Sequence, residues 1–130
     1  MSVIVHGTDK VASPTLTFTG KIYLNMIYMS PDYPKTPAPE INTAIANVTF
    51  TPGARTYWHK HKFGQFIHVT AGSGWICDRG GEKQRIRMGD KVYCKAGTEH
   101  WHGADQDTVM THFQVALGGA VSRNYIDHRT

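Results

Sequence analysis

No stretch of this 130-residue chain approaches the ~20 consecutive apolar residues that cross a bilayer as a helix, so a helical membrane span is excluded. Cysteine is scarce. Cys77 and Cys94 fall on different expected strands and form no Cys-x-x-Cys unit, which favours two free thiols in a reducing compartment over a disulfide. Runs of one charge are missing as well. The formal charge is +4 and the pI near 9.2, yet Lys and Arg are scattered and build no phosphate-binding stripe, so no nucleic-acid partner is expected. The basic balance reads instead as a solvated surface with a mild preference for anionic substrates. Met1 to Lys10 lack the apolar core and small-residue cleavage site of a signal peptide, which makes the cytoplasm the expected location. Serine elbow, phosphate loop, dinucleotide fingerprint, internal repeats and low-complexity tracts are all absent. At this length the chain makes one domain, residues 1–130, large enough for a core without metal or disulfide staples.

Helical periodicity is also lacking, and what stands in its place is short alternating runs rich in β-branched and aromatic residues. That is an all-β sequence. Expected strands run from Leu16 to Met29, Thr43 to Phe50, Thr56 to His61, Gln65 to Ala71, Gly74 to Asp78, Gln84 to Met88, Lys91 to Cys94, His100 to His102 and Thr108 to Leu117. Thirteen glycines and six prolines supply the turns between them. Thr51-Pro-Gly53, Phe63-Gly64 and Gly89-Asp90 read as turns, Arg79-Gly80-Gly81-Glu82 as a hairpin connection, and Gly72-Ser-Gly74 as a corner. Four prolines between Ser30 and Pro39 cannot donate to a ladder, so that segment is expected as a rim loop. A jelly-roll barrel closes such short strands and protects their edges.

Two segments carry chemistry: Gly53-Ala-Arg-Thr-Tyr-Trp-His59-Lys-His61-Lys-Phe-Gly-Gln65 and Gly89-Asp-Lys-Val-Tyr-Cys-Lys-Ala-Gly97-Thr-Glu-His100. In a strand, residues i and i+2 share a face, so His59 and His61 converge while Lys60 points away. A turn at Phe63-Gly64 returns Gln65 to the same interior, and a later strand brings His100. A lone strand histidine is ordinarily a surface or core residue, but three imidazoles and an amide at these spacings make a metal site. Three neutral imidazoles and a neutral amide leave the full +2 charge on an ion, which suits Lewis-acid work better than redox cycling. Mixed N/O ligation with open positions fits Mn(II), Fe(II), Ni(II) or Zn(II).

Other residues fall around this set. Ala44, Ala46, Val48 and Phe50 alternate with more polar neighbours and form a small apolar wall suited to a substrate pocket as much as to plain core packing. Tyr57 shares strand parity with His59. His102 shares it with His100. Met110, His112 and Gln114 form one face of the last strong strand, so His112 approaches the cavity from a wall not used for ligation and Gln114 joins the pocket lining. An imidazole beside a dication has its protonated form disfavoured and serves as a base, so His112, then His102 and Tyr57, are the candidate proton-transfer groups. His68 falls on the opposite face from Gln65, and His6 and His128 lie near the ends, where histidines are ordinarily solvated.

The two segments resemble the paired motifs of the cupin superfamily, across roughly residues 42 to 118. Gln65 stands where most members have glutamate, and Lys95 where the second motif usually has proline. The strings Phe-Thr-Pro-Gly-Ala-Arg-Thr-x-Trp-His-x-His, Val-Thr-Ala-Gly-x-Gly-Trp, His100-Trp-His102-Gly-Ala and Met110-Thr-His112 are similar to small bacterial monocupins that include manganese-dependent hydroxynitrile lyases. The resemblance implies a double-stranded β-helix, a metal held by His59, His61, His100 and Gln65, manganese as that metal, and reversible cleavage of a cyanohydrin to aldehyde and cyanide. It also implies a homodimer or homotetramer acting on a small molecule. An Fe(II) dioxygenase and a non-catalytic binding or sensing module are the competing readings, because one fold hosts many functions.

Overall fold

The computed structural model describes residues 18–19, 21–30, 43–118 and 120–122. The proline-rich segment expected as a rim loop, from residue 31 onward, and His6 and His128 lie outside them. The described residues form strands β1 Phe18–Thr19, β2 Ile22–Met29, β3 Thr43–Phe50, β4 Arg55–Thr56, β5 His59–His61, β6 Gln65–Asp78, β7 Gln84–Arg87, β8 Lys91–Cys94, β9 His100–Ala104, β10 Met110–Leu117 and β11 Ala120–Ser122, with no helix among them.

Every pairing is antiparallel, and two sheets share β6. One sheet runs β2-β3-β10 and then the first half of β6, which also pairs with β8. In the other, the second half of β6 pairs with β7 and β9, and β9 leads on to β4 and β5. This is a curled antiparallel jelly roll. Burial alternates strictly along β3, so Ala44, Ala46, Val48 and Phe50 all enter the core, where Ile67, Val69 and Met110 meet them.

Several expected boundaries change, each for a tertiary reason. The expected strands Gln65 to Ala71 and Gly74 to Asp78 are one fourteen-residue strand. Gly72 does not end it but bends it from one sheet into the other with φ of 73°. A Cβ at Gly72 would lie 1.9 Å from the Val109 carbonyl oxygen, and one at Gly74 2.0 Å from that of Gly103, so both glycines permit close backbone approach. The expected strand Thr56 to His61 is broken instead. Burial falls on Thr56 and Trp58, then on His59 and His61, so the phase slips by one residue and β4 and β5 are separate. The turn before Gln65 carries the chain across to the other sheet: β5 pairs with β9 and β11, whereas the first half of β6 pairs with β8 and β10. Strand β11, facing β5 with Val121 opposite Lys60, lies beyond the expected strands.

The outer face of the second sheet carries a core of its own. Trp58, Cys77 and Trp101 are buried together with Trp75 against them. Cations cover the rings: Arg79 lies 4.2 Å from the Trp58 centroid, Arg55 3.9 Å from Trp101, and Arg85 4.2 Å from Trp75. Asp105 anchors this face by accepting from Trp75 Nε1 and Ser73 Oγ and pairing with Arg85. Strand β9 is therefore buried on both sides, with tryptophan outward and histidines inward.

Candidate metal centre

Five histidines and two amides gather between the sheets. His59 and His61 come from β5, which exposes the intervening Lys60. His59 faces His100 of β9 in register, and His102 follows two residues on. Gln65 opens β6, and His112 projects from β10 opposite Val48. The His59 ring lies 4.4 Å from His100, 5.1 Å from His102 and 5.3 Å from His61, centroid to centroid. The five histidines and Gln65 are buried, His112 completely, and Gln114 is half-buried.

The side-chain nitrogens of His59, His100 and His102 lie within 4.8 Å of one another, so these three are positioned to bind one divalent metal ion. The sequence reading places His61 among the ligands and His102 among the proton-transfer candidates. Geometry therefore adds His102 to the candidates, and the signal was present, since His100 and His102 repeat the i, i+2 spacing of His59 and His61. His61 stands beside the group with neither ring nitrogen hydrogen-bonded.

Hydrogen bonds set which atoms face the centre. His59 Nδ1 contacts the Tyr57 carbonyl at 2.8 Å and His100 Nδ1 the Thr98 carbonyl at 3.1 Å. Each imidazole then donates from Nδ1 and turns a lone pair on Nε2 inward. His100 Nε2 in turn lies 3.0 Å from Gln65 Oε1. Both nitrogens of His100 thus face carbonyl oxygens, and a neutral ring has only one N–H to offer. Either tautomer leaves a lone pair against an oxygen. Protonation would satisfy both contacts, but burial pushes the His100 pKa down to about 4. A cation ligated by Nε2 and Oε1 satisfies both without that cost. Together with the unpartnered nitrogens of His61, this contact shows that the residues fit a metal.

Burial, reinforced by repulsion between the rings, also pushes His59 and His61 down to about 3 and His102 well below its ordinary value. Burial takes His112 to about 3. All five are neutral near pH 7 and available as ligands or acceptors. Cys94 faces Gln65 in register, but burial raises its thiol to about 12, so it stays protonated and plays the part of a small apolar residue. Phe50 packs against the far histidines, its ring 5.6 Å from His102 edge-on and 5.3 Å from His112. Ala46 and Val48 adjoin it on the same wall. Gln114, expected as pocket lining, accepts a hydrogen bond from Gln65 Nε2 at 3.0 Å. Tyr57 is half-buried, and because the strand breaks beside it, parity with His59 does not fix its direction; its carbonyl is what holds the His59 ring.

Residues 46–115 match the cupin domain family. The chain belongs to the cupins. Over 102 residues this cupin is 43% identical to an (R)-mandelonitrile lyase of Granulicella tundricola, a match covering 78% of this chain and 72% of that protein. A cupin-like protein of Thermotoga maritima superposes with a TM-score of 0.73 at 32% identity over 85% of this chain and 82% of its own. The polyketide cyclase RemF of Streptomyces resistomycificus shares the fold at a TM-score of 0.70 and 17% identity, covering 98% of this chain and 89% of its own. Among the described residues of this cupin, no helix is long and apolar enough to cross a membrane.

Proposed function

We propose that this cupin is a manganese-dependent hydroxynitrile lyase that cleaves cyanohydrins reversibly to an aldehyde and hydrogen cyanide. The observation that carries this reading is the 43% identity to a mandelonitrile lyase across most of both chains, on a scaffold that brings histidines and an amide together in a buried interior. His59, His61, His100 and Gln65 would hold the ion. Bound there by neutral donors, a dication supplies Lewis acidity that lowers the pKa of an alcohol oxygen.

The remaining residues handle shape and the proton. Ala46, Val48 and Phe50 present apolar surface to the organic part of the substrate. His112 takes the hydroxyl proton at Nδ1, a buried atom with no hydrogen-bond partner. The bond to the nitrile carbon then breaks, its electron pair leaving with cyanide as the carbonyl forms. His112 returns the proton to cyanide, and hydrogen cyanide departs. Its low pKa keeps His112 unprotonated between turnovers and makes it a ready acid once charged.

The test is direct. Protein loaded with Mn(II) is incubated with mandelonitrile, and benzaldehyde release is followed beside a sample stripped with chelator. Release that depends on the metal is expected. Stoichiometric metal without turnover on mandelonitrile or an aliphatic cyanohydrin would reject the lyase and leave a binding module.

A further inference from the structure

We infer that Gln114 is a positioning residue: it fixes which end of the Gln65 amide faces the histidines. This rests on the metal site above but not on the cyanohydrin activity. An amide has unlike ends, an oxygen that can ligate a cation and an NH2 that cannot, and turning it over changes its shape almost not at all. Packing alone therefore does not choose between them. At Gln65, which is 1% exposed, a polar contact must.

Hydrogen bonds to His100 and Gln114 hold that side chain, and it also contacts His59. Oε1 lies 3.0 Å from His100 Nε2, and Nε2 donates to Gln114 Oε1 at 3.0 Å. Gln114 reaches this place because β10 sets it between Ala46 of β3 and Ile67 of β6, in register with both. In this structure Gln114 turns its oxygen toward Gln65, and an oxygen only accepts, so with that end presented it takes the NH2 end of Gln65 and leaves the oxygen to the histidines. The effect runs through the amide as well. Withdrawal of the N–H toward an acceptor places more electron density on Oε1, and an oxygen engaged by a cation makes the N–H a stronger donor, so the contact is worth more in the ligated state.

A carboxylate at position 65 removes the need, because both of its ends are oxygens. That difference separates orientation from packing. Mn(II) affinity is measured by chelator competition for the wild type, Gln114→Met, Gln65→Glu and the combined variant, with thermal melting in chelator confirming that each folds. Gln114→Met is expected to weaken binding about tenfold or more beside Gln65, on the scale of lost outer contacts to metal ligands, and by no more than about threefold beside Glu. Gln114→Leu repeats the comparison with a second apolar side chain. A change within about twofold beside Gln65, or equal losses in both backgrounds, overturns the inference, the latter returning Gln114 to packing. Wild type that binds no Mn(II) overturns it together with the site. Binding without cyanohydrin turnover removes only the proposed activity.

Discussion

His112 Nε2 lies 3.3 Å from His102 Nδ1 in the buried interior, and one neutral ring must donate to the other. The roles of the two histidines are thereby linked. If His112 donates from Nε2, its Nδ1 is a free base and His102 carries its proton on Nε2, where it cannot ligate. If His102 donates from Nδ1, its Nε2 is free to ligate, and His112 holds its proton on Nδ1 and is no base. A base at His112 therefore requires a metal held without His102, which is the arrangement proposed above.

That linkage gives a paired test. His112→Ala and His102→Ala should each keep metal near the wild-type ratio, while His112→Ala lowers turnover by about 10²-fold or more, the usual scale for a positioned base. Metal stoichiometry beside kcat on one cyanohydrin decides it. Loss of metal in His102→Ala would put His102 in the ligand set that parity alone gives to His61.

His59→Ala and His100→Ala should lose the metal and, with it, the rise in melting temperature that Mn(II) confers on the wild type. A ligand that binds only the folded chain stabilises it by mass action, and removing one imidazole removes that linkage. Melting curves with and without Mn(II) report the effect. A variant that keeps both the metal and the shift would refute the assignment.

The buried histidines set an acid limit. Their folded pKa values, about 3 for His59, His61 and His112 and about 4 for His100, lie below the ordinary 6.5. The unfolded chain binds their protons first, so the neutral forms stabilise the fold fully above pH 6.5, and stability falls as pH drops from there toward 3. Metal affinity falls over the same range, since protons compete for the ligand nitrogens. Urea midpoints measured in chelator at a series of pH values should decline below pH 6.5; a flat profile down to pH 4 would contradict these shifts.

Gly72→Ala should destabilise the fold by about 3 kcal/mol or more, combining a positive φ with a backbone clash that no side-chain movement relieves. Its Cβ would meet the Val109 carbonyl oxygen at 1.9 Å. Gly89→Ala has a similar φ of 96° but open space, so it isolates the conformational part, and its loss should be clearly the smaller in matched denaturant titrations.

The sequence by itself determined whatever depends on a residue and its near neighbours. Strand parity put Ala44, Ala46, Val48 and Phe50 on one face, kept Lys60 out and His59 and His61 in, and separated His68 from Gln65. Glycines marked positive-φ turns at Gly53, Gly64, Gly80 and Gly89. Those preferences are short-ranged, so they survive in any fold that uses the strands. Tertiary structure alone decided which strands pair. Nothing local to Gly72 says that a turn residue will instead carry one strand through both sheets, nor that β5 will leave its sequence neighbour β6 for β9 and β11. The contacts of His102 with His112 and of Gln65 with Gln114 follow from those pairings. Each joins side chains from different strands, and barrel closure, a property of the whole chain, sets the distance between them.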